Sequence, residues 1–91
     1  MAEFEYDPEK SRANKQRHGI DFEETQELWK GPHVIIRAKN VLGENRSAIL
    51  GVAGRRVYMA IFTGRGEGIR IISCHRADKK WVKIYEKSIK D

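Results

Sequence analysis

The stretch from Arg65 to Arg76 holds the densest group of side chains able to act on a phosphodiester: Arg65, then Arg70, and beyond Ile71-Ile72-Ser73-Cys74 the pair His75-Arg76. Guanidinium groups stay ionised and grip phosphate through two parallel donors. An imidazole exchanges protons near neutrality. Together these are the means of cutting RNA without a metal, because RNA brings its own nucleophile, the 2′-hydroxyl. The protein has to hold that hydroxyl in line with phosphorus, stabilise charge on the phosphate oxygens and move protons. Each residue also has an ordinary reading. Arg65 fits a solvated loop, His75 a cap or surface position, and Arg76 a spacer before a helix. Arg70 alternates with Ile69 and Ile71 and so faces away from their side of a strand. Strict alternation sets Arg70 and His75 on opposite faces, and only a bulge or an early helix would turn His75 back.

Other chemistries find less support. His18, His33 and His75 fall in different elements without ligand spacing, and the acidic residues sit mainly at helix starts, where capping accounts for them; no metal and no organic cofactor is expected. The glycines between Gly64 and Gly68 join two strands, whereas a phosphate-binding glycine fingerprint joins a strand to a helix. Cys74 has no evident base beside it and reads as a small buried hydrophobe. Trp29 and Trp81 fit the apolar faces of helices.

The elements that must position these groups follow from local pattern. Phe4 to Tyr6 alternates like a short edge strand. Asp7-Pro8-Glu9 opens a helix with a cap, a first-turn proline and an acid on the dipole, and Gly19 ends it. Asp21-Phe22-Glu23-Glu24 resembles a capping box and predicts a second helix through Trp29, closed by Gly31-Pro32. The period then changes to two. Strands are expected over 33–38, 47–53, 57–63 and 69–74, with a polar loop over 39–45, a tight turn at Gly54-Arg55 and a flexible link over 64–68. A last helix over about 78–89 has Trp81, Ile84, Tyr85 and Ser88 on one face and lysines on the other. Two N-terminal helices, a four-stranded antiparallel sheet and a C-terminal helix make an α+β fold in one domain spanning 1–91.

With 91 residues the chain can bury one modest core. The longest uncharged apolar run, Val57 to Phe62, is too short for a membrane span, and the acidic start lacks the apolar run of a secretory signal. One cysteine fits a reducing cytoplasm. Residues 1–30 carry five Lys/Arg against eight Asp/Glu, and residues 31–91 carry thirteen against five; balances of −3 and +8 make the net +5. A basic two-thirds of this kind attracts polyanions, though solvated lysines alone would give the same count.

Three blocks in order resemble the BrnT family of type II toxins, small ribonucleases with a RelE-like fold. The first is Phe4-Glu5-Tyr6-Asp7-Pro8-Glu9-Lys10 with Asn14, Arg17-His18-Gly19-Ile20 and Phe22-Glu23-Glu24. The second is Gly43-Glu44-Asn45-Arg46 with Gly51, Phe62-Thr63 and Arg65. The third is Arg70-Ile71-Ile72-Ser73 with Ala77 and Tyr85-Glu86. The resemblance implies an endoribonuclease silenced by a ribbon-helix-helix antitoxin in a hetero-oligomer, binding operator DNA only through that complex. It implies Lys10, Glu44, Arg46, Arg65 and Arg70 as site residues. The roles inferred for them are Arg65 and Arg70 on the phosphate and Lys10 or Glu44 orienting the site, with Arg46, joined by Arg76 of the stretch above, assisting substrate binding. His18 matches too, with a helix-ending role as good an account as catalysis. Two departures stand out. His75 replaces a usual Arg, as phosphate donor, as general acid or as the mark of a weakened enzyme. Trp81 replaces a common acid and would enlarge an antitoxin-binding surface. The alternative to an active enzyme is accordingly a weakened toxin serving as an interaction and operon-control module.

Overall fold

The computed structural model describes residues 3–90, without the side chains of Ala38, Lys39 and Val41. In chain order it has β1 (Phe4–Glu5), α1 (Pro8–His18), a 3₁₀ helix (Glu24–Trp29), β2 (Val34–Val41), β3 (Glu44–Ala53), β4 (Arg56–Arg65), β5 (Gly68–Arg76) and α2 (Lys79–Lys90). The sheet is five-stranded and mixed, in the order β1-β5-β4-β3-β2. This corrects the expected four-stranded antiparallel sheet. The added strand is β1, which runs parallel to β5 with Phe4 opposite Ile69 and Glu5 opposite Arg70. Two residues are too few to display a period, and their partner lies far along the chain, so local pattern shows an extended segment but not its pairing. Gly68 permits the approach: the Ile69 amide donates to the Glu3 carbonyl at 2.7 Å, and a Cβ on Gly68 would meet that oxygen at 2.9 Å.

The first helix starts and stops where its signals are. The Asp7 carboxylate accepts from the amides of Glu9 and Lys10 at 2.9 and 3.4 Å, and Gly19 takes φ +77° at the far end. The second predicted helix is instead a 3₁₀ helix. Its capping box forms as read: the Glu24 amide donates to Asp21 at 2.8 Å, and the Asp21 amide to Glu24 at 3.0 Å. After one α-type bond, from Thr25 to Asp21, the chain tightens. The reason is packing. Phe22, Thr25 and Leu28, three apart, are all buried, and a helix of three residues per turn sets them in one line. Leu28 presses on β3 so closely that a Cβ at Gly51 would lie 2.7 Å from its carbonyl oxygen.

Two predicted loops are shorter than expected. The polar stretch 39–45 is mostly strand, closed by a two-residue turn in which Leu42 (φ +52°) and Gly43 (φ +78°) are both left-handed, the geometry that matches strand twist. Leu42, almost wholly exposed, is not a usual residue for that conformation, which is why the hairpin was not legible. The glycine-rich link reduces to Gly66-Glu67, so Arg65 stands on β4, opposite Gly68, and not in a flexible loop.

The sheet is covered on both faces. Ile20, Phe22, Leu28, Ile49, Ala60, Ile71 and Cys74 form the core beneath the N-terminal elements, with Phe4, Trp29 and Phe62 stacked edge-to-face around it. Ala48, Leu50, Met59 and Tyr85 form the core beneath α2. Tyr85 donates to the Pro32 carbonyl at 3.0 Å, and Trp81 and Ile84 are half-buried as expected. Ser88 does not join them: from Glu86 on, the helix is exposed. Among the described residues, no helix is long and apolar enough to cross a membrane.

A candidate anion-binding cleft

Strand register alone sets most of the candidate site. Arg46 lies opposite Thr63, Thr63 opposite Arg70, and Arg70 opposite Glu5, giving one row across four strands. Phe4, Phe62, Ile69 and Ile71 beside it in β1, β4 and β5 belong to the N-terminal core, and in β3 Arg46 shares the parity of Ala48 and Leu50 beneath α2, so this row stands on the α2 side of the sheet. Glu44 and Arg65, two residues along from Arg46 and Thr63, share its face. Lys10 arrives from α1, which runs beside β5 where β1 has ended. Asn14 fastens that helix: its side-chain amide donates to the carbonyls of Ile20 and Cys74, both at 2.8 Å, and its oxygen accepts from the Cys74 amide at 3.3 Å.

Lys10, Glu44, Arg46, Arg65 and Arg70 therefore line one cleft of about 200 Å³, with Asp7, Ile71 and Ile72 completing its wall. Four cations from four elements face two carboxylates there. Asp7 is occupied by the helix cap, and Glu44 lies 3.4 Å from Arg46 Nε. Just outside, the Glu5 carboxylate sits 3.8 Å from Arg65 Nε and 3.6 Å from Arg70 Nη1. All of these pairs are substantially solvated, with Arg46 33% and Arg70 36% exposed, so each is weak and readily exchanged for another anion. Guanidinium forks, an ammonium point charge and one carboxylate able to accept a proton suit the binding and transfer of a phosphate group.

The other two candidate residues lie elsewhere. Between the pairs Phe62–Ile71 and Ile61–Ser73 the register shifts, leaving Ile72 as an extra residue in β5. This bulge lets Ile71 and Cys74, three apart, both be buried on one face, and turns Arg70, Ser73 and His75 to the other. His75 thus shares the face of Arg70. Their β4 partners, Thr63 and Met59, are four residues apart, however, which places His75 roughly 13 Å along the sheet. Its ring neighbours His18, centroid to centroid 6.0 Å. Arg76 is opposite Tyr58, on the other face, and exposed. Neither joins the five. Glu5 and Asp7 were not named as site residues from the sequence, Asp7 being read there as a helix cap. Glu5 faces the arginines only through the β1–β5 pairing, which no local pattern announces.

Cys74 is wholly buried, and burial pushes its thiol up to about 11, opposed by a hydrogen bond with Thr25. At pH 8 it should therefore resist iodoacetamide in the folded protein and react once urea unfolds the chain. Stoichiometric labelling of the native state would contradict this placement. Among the described residues, no three His, Cys, Asp or Glu side chains are grouped to hold a metal ion.

Comparison with curated proteins gives no match. The family model of the BrnT ribonuclease toxin of type II toxin–antitoxin systems matches residues 6–80, a span that includes Lys10, Glu44, Arg46, Arg65 and Arg70, and the chain belongs to that family.

Proposed function

We propose that this toxin, RelE-like in architecture, is a metal-independent endoribonuclease acting in the cytoplasm. A ribbon-helix-helix antitoxin holds it silent, and operator DNA is met only through their complex. The observation that carries the reading is the convergence of Lys10, Glu44, Arg46, Arg65 and Arg70, drawn from α1, β3, β4 and β5, on one cleft. In the proposed reaction the 2′-oxygen attacks the adjacent phosphorus and gives its proton to Glu44. The bond from phosphorus to the 5′-oxygen breaks, and that oxygen takes a proton from Lys10, leaving a 2′,3′-cyclic phosphate. Arg65 and Arg70 bind the phosphate oxygens as charge accumulates on them, and Arg46 holds Glu44 in place.

The test is incubation of antitoxin-free protein with single-stranded RNA in EDTA across a range of pH. Cleavage with cyclic-phosphate ends is expected, and a 2′-deoxy substitution at the cut nucleotide should block it. A folded protein that leaves RNA intact under all metal and pH conditions would overturn the reading. The alternative, a weakened toxin acting only as an interaction module, drew its support from His75 and Trp81. Neither lines the cleft, so neither bears on the five residues that do.

A further inference from the structure

Beside the cleft of the five residues lies a second, of about 210 Å³, which shares Lys10 and Ile72 with it and continues along the groove between α1 and β5. Its polar lining is Lys10, Asn14, Arg17, His18 and Ser73, and no carboxylate contributes. Lys10, Asn14, Arg17 and His18 follow helical spacing and form one stripe of α1. On the strand side, Arg70, Ser73 and His75 share a face because of the bulge at Ile72.

The charges of α1 are divided between its faces. On the outer stripe Arg12 pairs with Glu9 at 3.9 Å and Lys15 with Glu24 at 2.7 Å. Among the described residues, Lys10 and Arg17, which line the groove, have no carboxylate within 4.0 Å. The helix is also polar almost all round, Ala13 being its one apolar side chain past Pro8. Hydrogen bonds from Asn14 and to Ser11, in place of an apolar stripe, hold it to the rest. A helix attached this way leaves a cationic groove between itself and β5. At the far end, His75 Nδ1 lies 2.9 Å from the Arg76 carbonyl. A carbonyl only accepts, so Nδ1 carries a proton; in the doubly protonated ring Nε2–H is then the donor left for a phosphate oxygen.

We infer that this groove is the track for the RNA strand on one side of the scissile phosphate, with Arg17, His18 and His75 holding a flanking phosphate. The inference rests on the ribonuclease reading of the neighbouring cleft and extends it from one phosphate to a length of strand. It gives His75 a binding role away from the reacting atoms.

The test compares wild type with the Arg17→Ala/His75→Ala double variant on two probes: a uniformly 2′-O-methylated, uncleavable RNA ten nucleotides long, read by fluorescence anisotropy, and a cleavable ribodinucleotide, read by rate. The decamer is expected to bind about tenfold more weakly to the variant, with a salt slope shallower by roughly 0.7, the value for one lost phosphate contact on a single strand. Dinucleotide cleavage should not change, since the dinucleotide does not reach the groove. Unaltered decamer binding and salt slope overturn the inference, and so does a matching loss on the dinucleotide. Should the double variant melt early, Arg17→Gln, on an exposed helical position, is expected to make the slope shallower in the same sense, and no change overturns the inference equally. If wild type cuts neither RNA while the binding differences hold, the cleavage reading falls and the groove stands.

Discussion

Arg70→Ala is expected to lower the rate of RNA cleavage by about 10²–10³-fold, the usual cost of removing one donor aimed at a developing oxyanion. The fold should not suffer. The arginine is partly solvated, and its one ion pair among the described residues is the loose 3.6 Å contact with Glu5, worth at most about 1 kcal/mol. Removing it also relieves repulsion among the cations that remain in the cleft. Loss of activity without loss of melting temperature therefore separates a chemical role from a structural one. Arg70→Lys keeps the charge but not the two-pronged grip and should fall between the two. Single-turnover rates with a thermal melt decide the matter. A rate within about threefold of wild type would mean that the guanidinium is not on the phosphate.

Asn14→Ala should instead destabilise the protein by about 3 kcal/mol, lowering the melting temperature by roughly 12–24 °C for a chain of this size. One buried side chain serves three backbone groups: the carbonyls of Ile20 and Cys74 and the amide of Cys74. Alanine leaves all three short of a partner, and buried polar groups without partners each cost about 1–3 kcal/mol. Asn14→Asp should be no better, because a carboxylate cannot donate to two carbonyls. The same bonds hold α1, and with it Lys10, against the bulged end of β5. At temperatures where the variant is still folded, cleavage should therefore fall as well. Urea denaturation gives the stability directly. A change below about 1 kcal/mol would show that α1 is secured by other means.

The two variants mark different kinds of legibility. Arg70 can be picked out by type and by its alternation with isoleucines, whereas the work of Asn14 is invisible along the chain: its partners are 6 and 60 residues away. The same division runs through the fold. The start and stop of α1, the Asp21–Glu24 capping box and the tight turn at Gly54 depend on neighbours within a few residues, and all were readable. The 3₁₀ geometry of residues 24–29 was not, because it is imposed by Leu28 meeting Gly51 across the core.

By itself, then, the sequence determined the residue types available for chemistry, most of the elements that carry them and the α+β class, since these follow from short-range sterics, capping and period. Tertiary structure decided which of those residues meet. Pairing of β1 with β5 brings Glu5 to the arginines, and one extra residue at Ile72 reverses the facing of everything after it, while strand length keeps His75 about 13 Å from Arg70. Register is a long-range property: a shift of one residue turns a side chain from core to cleft, and only the packed sheet sets it.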